Sequence, residues 1–400
     1  MTIDTLTRPG LKTLDAYDMS ATRGFLCRHD AGAVSLGGDW KTAGELALRL
    51  PQILPSGKVR NWLATHLPHQ DIAQTLPELT DAEARRAMVH YSFMVQSYVW
   101  GEPEAPSVLP AKLAVPMVAL ADRLGQQPLL PYSAYVLDNW GLIDPTGPIS
   151  LDNTYMIQHF LGGMDEAWFV LIHVAIEARA GEVFAEMSPI LDAVAQEDTA
   201  GLQTRLERVG TIWSEINAIF DRMPERCDPY IYFERVRPYI HGWKDNPALP
   251  DGIIYEDVPR YGTRGQAFRG QTGSQSSIVP SMDALMGVGH AADPLKAYLD
   301  QLHIYRPPGH RSFIEDVRAA STLRGFIERT QHAGLADAYN AIIQAISDFR
   351  TRHLEYAASY INKQGKRATG NDTDVGTGGT PFMRYLKKHR DETAANLIKV

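Results

Sequence analysis

A histidine set into an apolar stripe is the first feature of this chain that could do chemistry. Ile342, Ile346, Phe349, His353, Tyr356 and Tyr360 recur at alternating steps of four and three. That spacing puts them on one face of a helix over residues 335–361. An imidazole on a buried face either finds a hydrogen-bond partner or binds something, and neutral imidazole is a common ligand of iron and other borderline metals. The stripe alone does not choose between the two. A second pair, His173 and Glu177, stands one helical turn apart in WFVLIHVAIE (168–177), which is apolar nearly all round. Such a pair can ligate a metal, but the HExxH pattern is absent, and Glu177 could equally cap or pair with a neighbouring helix. A third group, Arg235, Arg237 and His241, lies among aromatics in residues 230–244.

Two polar stretches flank these groups. Residues 261–279 read YGTRGQAFRGQTGSQSSIV, and their small residues allow close backbone approach to a ligand. Their hydroxyl and N–H groups suit carboxylates or phosphates, yet no GxxxxGK[ST] phosphate loop is present, so no nucleotide site is inferred. Residues 362–380, NKQGKRATGNDTDVGTGGT, directly follow the histidine helix and have the composition of a mobile lid. A surface linker would have the same composition.

The elements that must position these groups are mostly helical. Patterning starts near Asp39 and resumes after Pro55, with Val59, Trp62, Leu63 and His66 on one face. A helix over 81–100 would be capped by Asp81 and turn Met88, Tyr91, Val95, Tyr98 and Val99 inward. Gly101, Pro103, Pro106 and Pro110 end it. Another helix is expected over 116–124, closed by Gly125, a buried one begins at an Asp165 cap, and an amphipathic one covers 202–223. Residues 1–35 read as an extended arm. Alternating runs are few, so the fold class is mainly α. The turn cluster at 144–148 is the best boundary, between a smaller, mostly helical domain (1–147) and a helical domain (148–400).

The chain's 400 residues are 44% hydrophobic and 22% charged, and Lys+Arg 39 against Asp+Glu 47 gives a net charge of −8. That balance argues against nucleic acid or an anionic membrane as partner. Two cysteines, Cys27 and Cys227, supply neither a disulfide framework nor a CxxC metal site. No signal-peptide pattern or long apolar run is evident, so the expected compartment is cytoplasmic.

Six blocks then stand in order: PYSAYVLDNW (131–140), RVRPYIHGWKDNP (235–247), FRGQTGSQSS (268–277), YRPPGHRSF (305–313), RHLEYAASYI (352–361) and GTGGTPFMRYLKKHR (376–390). In sequence and spacing they resemble the indoleamine 2,3-dioxygenase family of haem enzymes, which open the indole ring of tryptophan with molecular oxygen. The likeness covers the carboxy-terminal two-thirds of the chain; the first 120 residues match loosely.

The resemblance implies an all-helical haem domain whose distal pocket is covered by the smaller domain. It implies one haem b per chain, ligated by His353, with Asp283 and Arg350 supporting that face. On the substrate side, Arg237 matches the arginine that binds the amino-acid carboxylate, and Tyr232 and Phe233 match the aromatic positions beside it. Tyr132, Tyr135, Val136 and Phe169 match the wall that packs the indole ring. Gly270, Thr272 and Gly273 match the loop over the haem edge, and Thr377 the mobile-loop threonine near the substrate ammonium. Three positions depart from the pattern. Tyr232 stands where phenylalanine is usual, Tyr135 is bulkier than its counterparts, and His173 stands where mammalian members have serine. His173 would then accept the indole N–H, as the distal histidine of the related tryptophan 2,3-dioxygenases does; a one-residue shift would put Ile172 there instead. The implied reaction cleaves the C2–C3 bond of L-tryptophan to N-formylkynurenine, with oxygen as co-substrate and an outside electron donor to reduce the haem. The same ring opening on another indole derivative is the alternative, and a non-catalytic haem or tryptophan sensor a third.

Overall fold

A computed structural model describes residues 10–292, 294–365, 377 and 382–399. Helical periodicity is realised in α1 (Gly38–Ala47), α2 (Val59–His66), α3 (Asp81–Trp100), α4 (Ala111–Leu124), α5 (Met164–Ala195) and α6 (Thr199–Asp221). It continues in α7 (Ile278–Met286), α8 (Pro294–His303), α9 (Pro308–Ala320), α10 (Leu323–Thr330), α11 (Ala333–Ala357) and α12 (Phe382–Ala394). Strands are minor. β1 (Val108–Leu109) pairs in parallel with β4 (Ile254–Tyr255), and β2 (Trp140–Leu142) runs antiparallel to β3 (Thr154–Met156). The mainly α expectation holds.

Helix ends follow local chemistry. Thr80, not Asp81, caps α3: its hydroxyl accepts the Glu83 N–H while the Glu83 carboxylate accepts the Thr80 N–H. Gly125 closes α4 at φ +63, as the sequence predicts, but α4 starts at Ala111 and carries Pro116 inside it. Asp165 is not the cap of α5; it lies in the first turn behind Gly163 and accepts the Asp228 N–H. Asp198 accepts the Gly201 N–H and so starts α6 three residues before the expected point.

The carboxy-terminal half is a layer of long helices, with α5 along α6, α6 along α11 and α11 along α12. Apolar residues surround α5, so it is the most enclosed of them: Trp168, Leu171, Ile172, Ile176 and Met187 are all buried. Residues 10–35 are not an extended arm. They form tight turns that bury Tyr17, Met19, Phe25 and Leu26, with Tyr17 edge-on to Phe313 of α9. Gly24 lies so close to α5 that a Cβ there would sit 2.1 Å from the Glu177 carbonyl oxygen. Contacts also cross the expected boundary at 147: Gln96 and Trp100 of α3 donate to the His241 carbonyl, and Tyr255 donates to the Pro128 carbonyl. The expected lid, 362–380, lies outside the described residues except for 362–365 and Thr377.

Candidate active site

Three short π-helical turns are described, at Ser133–Leu137, Tyr232–Val236 and Ala358–Asn362. Such turns re-aim side chains that a regular helix would hold elsewhere. Each of them carries, or directly follows, residues matched to the site. The turn at Ala358–Asn362 extends α11 directly, so the predicted stripe continues through Tyr360.

Two cavities of about 720 and 150 Å³ share part of their walls, and both are lined by His173 from α5 and His353 from α11. The larger falls in the range of about 300–1,000 Å³ typical of ligand and cofactor sites. The His353 ring sits edge-on to Phe220, 6.4 Å between centroids. Neither of its nitrogens is hydrogen-bonded among the described residues, and the surface it keeps faces the cavity. Burial, then the nearby His173, holds its pKa down at about 4, so the ring is neutral and its lone pair available.

His173 is fixed differently. Its Nδ1 lies 2.7 Å from the Phe169 carbonyl oxygen. A carbonyl can only accept, so Nδ1 carries the hydrogen and Nε2 presents a lone pair. Burial lowers its pKa and keeps that tautomer neutral. Ile172, wholly buried, lines neither cavity.

One turn on, Glu177 accepts from Tyr132 Oη (3.0 Å) and Ser276 Oγ (2.8 Å), both on its Oε1. Burial outweighs these donors and pushes its pKa up to about 7. The Tyr132 N–H donates to Gln275 Oε1, and Gln275 Nε2 donates to the Gly270 carbonyl. The wall around 132–136 and the polar loop at 268–277 are therefore one hydrogen-bonded unit. Sequence patterning did not find Ser276 or Gln275 as its links, because their partners are over 90 residues away or on the irregular chain.

The loop also binds Thr377, the described residue of the GTGGT part of the expected lid. Thr377 Oγ1 donates to the Gln271 carbonyl at 2.6 Å, and its own carbonyl accepts the Gly242 N–H at 3.3 Å. Gly270 and Gly242 allow this approach: a Cβ on Gly270 would lie 2.2 Å from Gly242 N and 2.5 Å from the Thr377 carbonyl oxygen. At Gly273 a Cβ would meet nothing within 4 Å, because that residue faces the open cavity.

Of the matched residues, Tyr132, Phe169, His173, Tyr232, Thr272, Gly273, Asp283, Arg350, His353 and Thr377 line one or both cavities. Phe169 packs against Tyr232 and His173 at 4.7 and 4.9 Å between centroids. Tyr135, Val136, Phe233, Arg237 and Gly270 are buried behind that lining. Tyr135 backs Phe169 at 6.3 Å, and the Arg237 guanidinium lies 5.6 Å from the Phe233 ring centre. Asp283 and Arg350 form a buried ion pair at 2.8 Å. The Arg306 guanidinium, also buried, reaches the cavity wall by donating to the Ser274 and Ser276 carbonyls.

A sequence model described as Indoleamine 2,3-dioxygenase matches residues 13–396. The chain belongs to the indoleamine 2,3-dioxygenase family. It is 31% identical over 375 residues to indoleamine 2,3-dioxygenase 1 of Rattus norvegicus, covering 88% of each chain. It is 30% identical over 399 residues to indoleamine 2,3-dioxygenase of Saccharomyces cerevisiae, covering 88% of this chain and 86% of that one. It is 29% identical over 396 residues to indoleamine 2,3-dioxygenase qulI of Penicillium citrinum, covering 95% and 88%. Members of the family are haem-dependent dioxygenases, and this chain is an oxidoreductase of that class acting on a small molecule with oxygen. The loosely matching first 120 residues fall within the family match from residue 13 onward. Among the described residues no helix is long and apolar enough to cross a membrane.

Proposed function

We propose that this family member cleaves the C2–C3 bond of L-tryptophan with molecular oxygen, giving N-formylkynurenine. One haem b per chain would be held by His353. The observation that carries the reading is the His353 ring, neutral and without a hydrogen bond among the described residues, in a cavity it shares with the His173 lone pair. The donor set fits the cofactor: an imidazole ligand, a cavity of about 720 Å³, a wall at Gly273 with no neighbour, and the buried Arg306 cation to face an anionic edge. Haem, when bound and reduced by an outside electron donor, supplies the activation of oxygen.

The chain's own groups do the positioning. His173 Nε2 accepts the indole N–H and orients the ring. Phe169 and Tyr232 pack its faces, with Tyr132 closing the wall by its bond to Glu177. Arg237, behind the wall beside Phe233, attracts the substrate carboxylate. Thr377, held between Gln271 and Gly242, closes the site against water. Asp283 and Arg350 support the helix that carries His353.

The same ring opening on a different indole is the second reading, motivated by Tyr232, Tyr135 and His173, three positions at which this chain departs from the family pattern. The test is turnover by reduced holoenzyme under oxygen, comparing L-tryptophan with substituted indoles by product absorbance. Ring opening of L-tryptophan supports the first reading. Opening of a substituted indole alone selects the second, and oxygen consumption with neither, despite full haem loading, points to a sensor. His353→Ala is expected to lose the Soret band; an unchanged spectrum would show that another residue holds the iron.

A further inference from the structure

On the wall of the same cavities that His353 lines, α12 brings His389 and, behind it, Glu392 against His290, in the loop that follows α7. One ligand atom from each of the three lies within 4.8 Å of the others. His290 Nδ1 is 2.7 Å from Glu392 Oε2, and its Nε2 is 3.2 Å from Asp283 Oδ2. The His389 ring lies 5.0 Å from the His290 ring, and its Nε2 is buried without a hydrogen-bond partner among the described residues. A buried ring nitrogen left without a partner, beside a carboxylate, is unfavourable unless a cation joins the two.

We propose that His290, His389 and Glu392 form a second metal site, for a divalent ion such as zinc, that fastens α12 to the loop after α7. Two imidazoles and one carboxylate are a set that zinc takes with a fourth position left to water. Asp283 completes it from behind. By accepting the His290 Nε2–H it fixes the tautomer that turns Nδ1 toward the ion, an arrangement that recurs behind metal-bound histidines. Without metal, both His290 nitrogens face carboxylates, so the ring carries a proton on each. On binding, the Nδ1 proton leaves to solvent, the ion takes its place against Glu392 Oε2, and nothing is oxidised or reduced. The neighbouring cations are already engaged, Lys388 with Glu392 Oε1 at 3.4 Å and Arg350 with Asp283 Oδ2 at 2.8 Å. Its ligands come from α12 and the loop after α7 and not from α11, which carries His353, although His290 and His389 share the wall of the larger cavity with it. The count of bound metal does not depend on the substrate.

The test uses untagged holoenzyme, treated with chelator, titrated with zinc chloride and analysed for zinc and iron per chain. One zinc per chain is expected in addition to the haem iron, with a rise in melting temperature. Glu392→Gln and His389→Val are each expected to weaken zinc binding at least about tenfold and to lose the rise in melting temperature that zinc gives the wild type, while the Soret band stays at its wild-type position. Glu392→Gln also loses its charged contacts with His290 and Lys388 and so starts from a somewhat lower zinc-free melting temperature. Glu392→Gln keeps the side chain's shape at a partly exposed position, so it reports even where His389→Val folds poorly. Absence of zinc binding, or equal affinity in wild type and both variants, would overturn the site and leave only a hydrogen-bonded His290–Glu392 pair beside His389. Loss of the Soret band in His389→Val would also overturn it, because His389 would then serve the haem.

Discussion

His173 Nδ1 lies 2.7 Å from the carbonyl oxygen of Phe169, four residues earlier on α5. That bond decides which ring nitrogen is basic and holds Nε2 toward the cavity. If Nε2 receives the substrate N–H, only the neutral ring can act. Burial lowers the His173 pKa, so the neutral form persists below the usual imidazole value of 6.5. Activity is then retained as pH falls through 6.5 and lost only below it, as the ring protonates; rising pH costs nothing at this group. His173→Ser is expected to keep the Soret band, lower kcat/KM by about 10²-fold and remove that acid limb. A variant with wild-type kcat/KM and pH profile would exclude the role.

Glu177 gives a stability prediction of the opposite sign. Its pKa rises from 4.5 to about 7, chiefly through burial. Between those values the folded state holds a proton that the unfolded chain releases, so stability falls as pH rises across the window. A shift of that size corresponds to about 3 kcal/mol at most. Glu177→Gln mimics the protonated carboxyl and still accepts from Tyr132 and Ser276, so it is expected to flatten the decline. Glu166 has its pKa raised to about 7 by burial despite accepting three backbone N–H groups, and it titrates in the same window. Some decline therefore remains in the Glu177→Gln variant. Melting curves from pH 4.5 to 8.5 read both; equal slopes in wild type and variant would show that Glu177 is ionised throughout.

What the sequence made legible follows from how far each signal reaches. The stripe from Ile342 to Tyr360 is periodic over five turns, so its helix and the inward aim of His353 could be read directly. The Gly-rich character of 268–277 was equally plain, but not its attachment, because Gln275 and Ser276 find Tyr132 and Glu177 143 and 99 residues away. His389 and Glu392 look like a solvated helix face in sequence and become a cluster only when α12 meets His290. Residues 10–35 misled for a related reason. Tyr17, Phe25 and Leu26 are buried through irregular turns, which leave no period of two or 3.6 to detect.

Arg237 is wholly buried beside Phe233; burial, and after it the Arg237 charge, holds the His241 pKa down at about 3. A buried guanidinium that draws in a carboxylate differs in its kinetic signature from one that only supports the fold. Arg237→Lys keeps the charge and loses the planar fork. It is expected to leave the Soret band and melting temperature near wild type and to raise KM for an amino-acid substrate by about tenfold or more, while an indole lacking the carboxylate is affected less. A purely structural arginine would instead lower the melting temperature and leave the KM ratio of the two substrates unchanged.

The two glycines of the polar loop make opposite demands. At Gly270 an added Cβ meets backbone that cannot move aside, Gly242 N at 2.2 Å, the Thr377 carbonyl at 2.5 Å and the Ile240 carbonyl at 2.6 Å. Gly270→Ala must therefore separate the 240–244 and 268–271 segments and release Thr377, at a cost of about 1–3 kcal/mol. At Gly273 the added methyl meets nothing within 4 Å, so Gly273→Ala is expected to leave haem-free stability within about 0.5 kcal/mol. Its effect appears on loading, because the methyl projects into the space a cofactor would occupy. Denaturant unfolding of both variants without haem, followed by haem titration, separates the cases. Equal stability of the two haem-free variants would show that the loop is free to shift at Gly270. Unimpaired haem affinity in Gly273→Ala would place the cofactor away from this wall.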